Sequence, residues 1–156
     1  LLMRRVWRIV KRGRAAGAFD GEGARRTGGR WNSPGTRVVY TAEHASLAAL
    51  EMLAHLQRSS VLLSYALIPC DVPDEMVAPL DRASLPRAWR ASPAPAALQR
   101  LGDEWAASMR SVALEVPSAI VEVENNVLLN PAHPDFAKIV IGDAMGFAYD
   151  VRLVEK

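Results

Sequence analysis

The chain is short of several residue types and segments, and each absence narrows the class of protein to which it can belong. Its single cysteine, Cys70, excludes an internal disulfide and fits a reducing compartment. No apolar run approaches the roughly 20 residues that a membrane-spanning helix needs. The apolar residues at 1–10 are interrupted by Arg4, Arg5 and Arg8, so this stretch lacks the core of a signal peptide. Together these absences predict a soluble, cytoplasmic protein.

Motifs for several common cofactors are also missing. Gly21-Glu22-Gly23 lacks the third glycine of a dinucleotide fingerprint, and no Gly-Lys-Ser/Thr follows a glycine loop to form a nucleotide-binding P-loop. The three histidines, His44, His55 and His133, have no metal-ligand spacing with one another or with the cysteine. We therefore expect no metal site.

The net charge of +2 conceals a strong asymmetry along the chain. Residues 1–37 contain ten Arg and Lys against two acids, a balance of +8, whereas the other 119 residues have a balance of −6. A basic segment attracts an anionic partner such as nucleic acid, a phosphorylated ligand or an acidic protein. Only 6% of the residues are aromatic, and they are not interleaved with the bases as in a platform for single-stranded nucleic acid.

The length and the periodicity of the chain indicate its fold class. The 156 residues, half of them hydrophobic, are enough for one domain with a substantial core. Strands in runs with two main helices are typical of an α+β fold, here with mixed or antiparallel sheets flanked by helices. The predicted strands cover 5–10, 37–40, 61–68, 112–115, 119–123, 127–129, 139–141 and 151–154, the predicted helices cover 43–58 and 96–109, and residues 11–35 and 71–95 are predicted to be loops.

One stretch concentrates the candidate functional residues. Two glycines, at 28 and 29, allow backbone conformations closed to other residues and precede Arg30, which can clamp a phosphate by two parallel hydrogen bonds. Tyr40, at the end of the next strand, can stack on a planar ring while its hydroxyl stays in water. Glu51, on the following helix, suits hydrogen bonding to sugar hydroxyls or stabilising positive charge on an anomeric carbon. An ordinary Arg30–Glu51 ion pair and a core position for Tyr40 are the alternatives.

Several segments occur in the order of a known family. They are Gly-Gly-Arg-Trp-Asn at 28–32, Val-Tyr-Thr-Ala at 39–42, Ser-Leu-Ala-Ala-Leu-Glu at 46–51, Val-Pro-Ser-Ala at 116–119, Asn-Val-Leu-Leu-Asn-Pro-Ala-His-Pro at 126–134 and Phe-Ala-Tyr-Asp-Val-Arg-Leu at 147–153. In this order they resemble the RES domain, which is named for its Arg, Glu and Ser, and the last segment resembles its closing strand. The resemblance covers the chain from Val6 onward and predicts a single RES domain over residues 1–156.

This resemblance implies a fold similar to that of ADP-ribosyltransferases and the role of toxin in a bacterial toxin–antitoxin pair. Such toxins consume NAD⁺ by breaking the bond between nicotinamide and ribose, and they differ in the acceptor of the ADP-ribose, which is water, inorganic phosphate or a protein side chain. The implied partner is an Xre-type antitoxin with a helix-turn-helix half and a tail that covers the toxin's cleft. An acidic tail on the basic segment would explain the charge asymmetry without nucleic-acid contact. A nucleic-acid-binding or RNA-cleaving toxin is the alternative.

The resemblance also implies roles for individual residues. Glu51 would orient the ribose and stabilise its oxocarbenium-like transition state, Arg30 would hold a phosphate, and Tyr40 would stack on or frame the nicotinamide. Ser118 would bind or position the ligand rather than act as a nucleophile. The expected catalytic residues are Glu51, Arg30 and Tyr40, and the expected NAD⁺-binding residues are Arg30, Trp31, Asn32, Tyr40 and Ser118.

Overall fold

A computed structural model describes residues 1–154, in which eight strands form a mixed sheet. The strands are β1 (Met3–Lys11), β2 (Val39–Ala42), β3 (Tyr65–Pro73), β4 (Val77–Pro79), β5 (Ala113–Pro117), β6 (Asn125–Leu129), β7 (Val140–Ile141) and β8 (Met145–Phe147). Their order across the sheet is β4-β5-β6-β2-β1-β3-β7, and β8 also pairs with β3. The β4–β5 pair is parallel and the other described pairs are antiparallel. The α+β prediction is confirmed.

Three α-helices accompany the sheet in the described part of the chain: α1 (Glu22–Thr27), α2 (Ala45–His55) and α3 (Ala96–Ser108). The predicted helix at 96–109 matches α3 closely. The predicted helix at 43–58 is shorter in the structure, because His44 still has extended backbone angles and Leu56 is extended again after the last turn. Among the described residues, no helix combines the length and the apolar character that crossing a membrane requires.

Strand register places α2 and α3 over the same face of the sheet. Trp7 pairs with Ala42, and Tyr40 pairs with Leu128, so these side chains point to one face. Ala42 belongs to the core cluster that contains Leu47 of α2, whereas Tyr40 packs against the cluster that contains α3. One part of this face is therefore covered by α2 and the other by α3, and the two parts adjoin on β2. The opposite face packs against residues of the 12–19 segment. The core between them contains Val6, Val10, Val39, Val127 and Leu129 of the sheet and Ala18 and Phe19 of that segment.

Two predicted strands are turns in the structure. Residues 119–123 form the connection between β5 and β6, because the Ser118 hydroxyl accepts hydrogen bonds from the backbone N–H groups of Ile120 and Val121 and so bends the chain. At the other site, Val151–Leu153 is a 3-10 helix, because the Asp150 side chain caps it by accepting from the N–H of Arg152. The predicted strand at 151–154 is therefore wrong, and the last strand of the described residues is β8.

Other differences lie in segments predicted as loops or as strand ends. Residues 11–35 contain α1 and a 3-10 helix at Arg12–Gly17, and residues 71–95 contain β4. The strand β3 continues through Pro69, where the prediction ended it. The carbonyl of Pro69 accepts from Gly142 on the side away from β1, and the N–H that a proline lacks would point to that same side. The pairing of β3 with β1 therefore loses no hydrogen bond at the proline.

Candidate active site

The segment Gly28–Gly35, here called the glycine loop, is fixed from within and by α1. Gly28 has φ +72°, a left-handed conformation that favours glycine, and the Gly29 N–H donates to the Asn32 carbonyl at 3.0 Å. The Asn32 side chain is fully buried, and its Nδ2 donates to the carbonyls of Ala24, Ser33 and Thr36. The loop is therefore a rigid turn around one asparagine.

Helix α3 holds the glycine loop from the other side. Gln99 Nε2 donates to the Gly29 carbonyl at 2.9 Å, and Asp103 accepts from the Ser33 N–H at 2.9 Å. Between them, a Cβ on Gly102 would lie 1.6 Å from the backbone oxygen of Trp31. The side chain of Trp31 is 1% exposed and packs in the core beside this helix. Helix and loop approach each other as closely as they do only because position 102 is a glycine.

The Tyr40 hydroxyl completes the glycine loop and does not face water. It donates to Asn32 Oδ1 at 2.7 Å and accepts from the Trp31 N–H at 2.9 Å. Burial raises the pKa of this hydroxyl above its usual value, an effect that the hydrogen bond from the Trp31 N–H only partly offsets. The expectation of a hydroxyl in water is wrong. Tyr40 holds the loop, and contact of Tyr40, Trp31 or Asn32 with a ligand stays a prediction.

Arg30 is presented by this loop with one edge engaged. Its Nη1 donates to the carbonyls of Trp89 at 3.0 Å and Ala91 at 2.9 Å. Within residues 1–154, its Nε and Nη2 groups have no hydrogen-bond partner and no acid pairs with it. The alternative of an Arg30–Glu51 ion pair is therefore wrong. The Nε–Nη2 edge is one of the two edges with which arginine can bind a phosphate by two parallel hydrogen bonds.

Glu51, Ser118 and Asn126 form a second group, here called the Glu51 cluster. Glu51 lies on α2, Ser118 directly follows β5, and Asn126 is the second residue of β6. Glu51 Oε2 accepts from Asn126 Nδ2 in a very short contact and from the Ser118 hydroxyl at 3.4 Å. Ser118 is fully buried and Asn126 is 8% exposed. The structure thus brings Glu51 and Ser118 together, as the sequence predicts.

Only one oxygen of the Glu51 carboxylate is engaged. Across the described part of the chain, Glu51 Oε1 accepts no hydrogen bond, while Oε2 has two donors. The two donors fix the plane and the direction of the carboxylate. A carboxylate held in this way keeps one acceptor for a ligand hydroxyl and can stabilise a positive charge placed beside it.

The two groups are neighbours on one face of the sheet. Tyr40 pairs with Leu128 and Ala42 pairs with Asn126, so Tyr40 and Asn126 are diagonal neighbours across β2 and β6. Glu51 lies above these strands on α2, and the glycine loop lies on the α3 side. The site therefore lies on the sheet between the part covered by α2 and the part covered by α3.

Asn126 is the residue of the Glu51 cluster that sequence reasoning does not assign to the site. Its signal is an amide at the start of an otherwise apolar run, since Asn126 is followed by Val127, Leu128 and Leu129. A buried amide inside a sheet needs partners for three or four hydrogen bonds, which simple packing does not explain. The loop-holding residues of α3, Gln99 and Asp103, are likewise seen only in the structure.

The described residues that could hold a metal ion lie outside this site. Glu43, His44 and Glu124 bring three potential ligand atoms within 4.8 Å of one another. They lie just before α2 and β6, and Glu43 already accepts from the N–H of Asn125 at 2.8 Å. The Glu51 cluster shares no residue with them.

Comparison with known proteins identifies the family. The family model described as the RES domain matches residues 5–150. The protein named Toxin Res from Yersinia enterocolitica is 41% identical over 149 residues, which cover 95% of this chain and 98% of that protein. The protein named Prs ADP-ribosylating toxin from a Sphingobium species is 41% identical over 155 residues and covers 96% of both chains.

The fold is also found in a solved structure. The crystal structure of the M. tuberculosis MbcT–MbcA toxin–antitoxin complex contains a chain that matches with a TM-score of 0.70 at 21% identity, covering 94% of this chain and 85% of that one. The solved structure shows the fold alone, and the two relatives are named as toxins. This chain belongs to the RES domain family.

Proposed function

We propose that the chain is an enzyme that consumes NAD⁺ by breaking the bond between nicotinamide and ribose. The observation that carries this proposal is the Glu51 carboxylate, held on one oxygen by Ser118 and Asn126 with the other oxygen unengaged among residues 1–154. Cleavage of a glycosidic bond places positive charge on the anomeric carbon, and a fixed carboxylate stabilises that charge. The 41% identical relative named as an ADP-ribosylating toxin supports the same chemistry.

The reaction uses the carboxylate as an electrostatic group. The bond from ribose to the pyridinium nitrogen breaks, and its electron pair leaves with nicotinamide, which becomes neutral. Glu51 stabilises the oxocarbenium-like ribose through the oxygen that faces the ligand. An acceptor oxygen then bonds to the anomeric carbon and releases its proton to solvent. Ser118 and Asn126 act by holding Glu51 in place.

Arg30 supplies the second contact of the proposed site. Two carbonyls fix its Nη1, so its Nε–Nη2 edge is directed without further loss of side-chain freedom. A pyrophosphate oxygen pair matches that edge. Tyr40, Trp31 and Asn32 serve this contact by shaping the glycine loop, and the role of Tyr40 against the nicotinamide remains part of the proposal.

We also propose an antitoxin partner that docks through acidic residues. Six of the ten bases in residues 1–37 have partners within the described chain: Arg4, Arg5, Arg8, Arg25, Arg30 and Arg37. The other four, Lys11, Arg12, Arg14 and Arg26, are exposed. These four exposed bases are the ones that an anionic partner would contact, and salt-dependent binding of DNA or RNA would support the nucleic-acid alternative instead. A complex with the antitoxin that ignores ionic strength would contradict docking through charge.

The activity is tested by mass spectrometry of NAD⁺ incubated with the protein, with and without phosphate and candidate acceptor proteins. Free ADP-ribose, ADP-ribose phosphate and a modified protein are distinct products that identify the acceptor. Glu51→Gln should slow nicotinamide release about a thousandfold, and Glu104→Gln, a change at an exposed position on α3, should leave it unchanged. A wild-type protein that releases no nicotinamide would overturn the proposal.

A further inference from the structure

Asn126 has one half of its amide engaged and the other half without a partner. Its Nδ2 donates to Glu51 Oε2, while its Oδ1 is buried and accepts no hydrogen bond within residues 1–154. Buried polar atoms are nearly always paired in folded proteins, and Asn126 Oδ1 is the one unpaired buried side-chain atom of the described chain. Because this unpaired atom lies beside a proposed catalytic carboxylate, it indicates that a ligand supplies the missing hydrogen bond to Asn126 Oδ1.

The orientation of the amide follows from chemistry. Turning the amide over would place Oδ1 against the Glu51 carboxylate, where two oxygens would repel each other, and would leave a buried NH₂ group without an acceptor. The orientation with Nδ2 toward Glu51 avoids both costs. The unpaired atom is therefore an acceptor, and the group that completes it must be a donor.

We propose that Asn126 Oδ1 accepts a hydrogen bond from a hydroxyl of the nicotinamide-side ribose. This inference rests on the proposed function and deepens it. Because Asn126 Nδ2 contacts Glu51 Oε2, the two side chains are joined, and each keeps one unengaged acceptor within residues 1–154, Asn126 Oδ1 and Glu51 Oε1. Two adjacent hydroxyls on one face of a ribose present a matching pair of donors. In this arrangement Asn126 recognises a ribose hydroxyl through Oδ1 and positions the Glu51 carboxylate through Nδ2.

The test is a double-mutant cycle between Asn126 and the ribose hydroxyls. Nicotinamide release is measured for wild type and Asn126→Ala with NAD⁺ and with its 2′-deoxy and 3′-deoxy analogues on the nicotinamide ribose. The different intrinsic reactivity of the analogues cancels in the cycle. For one analogue, kcat/KM should fall about tenfold more, relative to NAD⁺, in wild type than in Asn126→Ala.

Two further variants distinguish recognition of the ribose hydroxyl by Asn126 from positioning of the Glu51 carboxylate. Asn126→Asp keeps an acceptor of the same shape but sets a second carboxylate beside Glu51, so kcat should fall while the dependence on the hydroxyl persists. This variant also carries the test if Asn126→Ala does not fold. Asn125→Ala, which removes an exposed contact to Arg82 at 3.3 Å, is the matched control and should behave as wild type.

The outcomes distinguish this inference from the proposed function. An active wild type whose cycle is additive for both analogues would show that Asn126 is only structural or is completed by water, and would overturn the inference while leaving the activity. A wild type without activity on NAD⁺ would overturn both. A cycle that couples for one hydroxyl supports the inference and identifies that hydroxyl.

Discussion

The glycine loop and the Glu51 cluster lie side by side on the sheet but differ in how completely their polar groups are bonded. In the loop, Asn32 uses its NH₂ group for three carbonyls, and its oxygen accepts from Tyr40. In the cluster, one oxygen of Glu51 and the amide oxygen of Asn126 accept no hydrogen bond within residues 1–154. The Asn32 amide that holds the loop together is fully bonded without a ligand, whereas the Asn126 amide of the cluster is not; the loop keeps only the Nε–Nη2 edge of Arg30 for a ligand.

This difference separates two tasks that one site needs. An unpaired buried acceptor costs about 1–3 kcal/mol, which a protein keeps only where something else gains from it. We therefore assign recognition and charge stabilisation to the Glu51 cluster and presentation of Arg30 to the loop. Changes in the cluster should alter activity more than stability, and changes in the loop should alter stability first.

The largest effect is expected from Glu51→Gln. This change keeps the shape of the side chain but removes the charge that stabilises the transition state, so kcat should fall about a thousandfold, or ~4 kcal/mol in activation free energy. The midpoint of urea unfolding should change little, because Oε2 is replaced by a group that can still accept from Asn126 or Ser118. An unchanged kcat would contradict the assignment of charge stabilisation to the Glu51 cluster.

The next effect is expected from Gly102→Ala on α3. The new Cβ would collide with the Trp31 backbone oxygen, so the free energy of unfolding should fall by about 3 kcal/mol as loop and helix move apart. Gly23→Ala on α1 is the matched control, because a Cβ there meets nothing within 4 Å and should be neutral or slightly stabilising. Equal behaviour of the two variants in urea denaturation would contradict the close approach.

The sequence predicts which residues belong to the candidate site better than it predicts the hydrogen bonds that those residues form. Glu51 and Ser118 do form a hydrogen bond, as the resemblance to the family implies, because segments that occur in the family's order fold into the same arrangement of helices and strands. The contact of Asn126 depends on the register of β6 against β2, which local pattern does not specify. The bonding of Tyr40 depends on the path of a loop held by residues of α3, some 70 positions away along the chain.

The fold shows the same division between local and distant causes. The helix at 96–109 and the first strand follow from periodicity, and both are present as α3 and β1. The segment 119–123 is rich in β-branched residues, as a strand would be, yet the Ser118 hydroxyl accepts from two N–H groups and turns it into a hairpin connection. The strand β4 has only three residues, and it is a strand because it pairs with the distant β5.

A smaller effect is expected from Tyr40→Phe. Removing the hydroxyl leaves the Trp31 N–H and Asn32 Oδ1 without their partner, so the free energy of unfolding should fall by about 2 kcal/mol. Tyr149→Phe is the comparison variant, since that hydroxyl donates only to the Ala49 carbonyl, and a loss of about 1 kcal/mol is expected. Thermal or urea denaturation measures both. A larger loss for Tyr149→Phe would show that the loop does not depend on Tyr40.

The smallest effect is the alkaline dependence of stability. Burial raises the pKa values of Tyr40 and Tyr65 and raises that of Tyr149 to about 12, so in the folded state all three hydroxyls keep their protons beyond the ordinary value. Below about pH 10 folded and unfolded states are both protonated and the stabilisation is complete. As pH rises further, the unfolded state loses its tyrosine protons first, and stability falls.

Tyr40→Phe should make this alkaline decline shallower, because one of the three contributions is removed. Urea midpoints at several pH values measure the slope, and absorbance of tyrosinate measures the ionisation directly. In wild type, tyrosinate should form together with unfolding. Tyrosinate that forms near pH 10 in a folded protein, and is absent in Tyr40→Phe, would place that hydroxyl in water. The glycine loop would then be open to solvent, and its contrast with the Glu51 cluster would no longer hold.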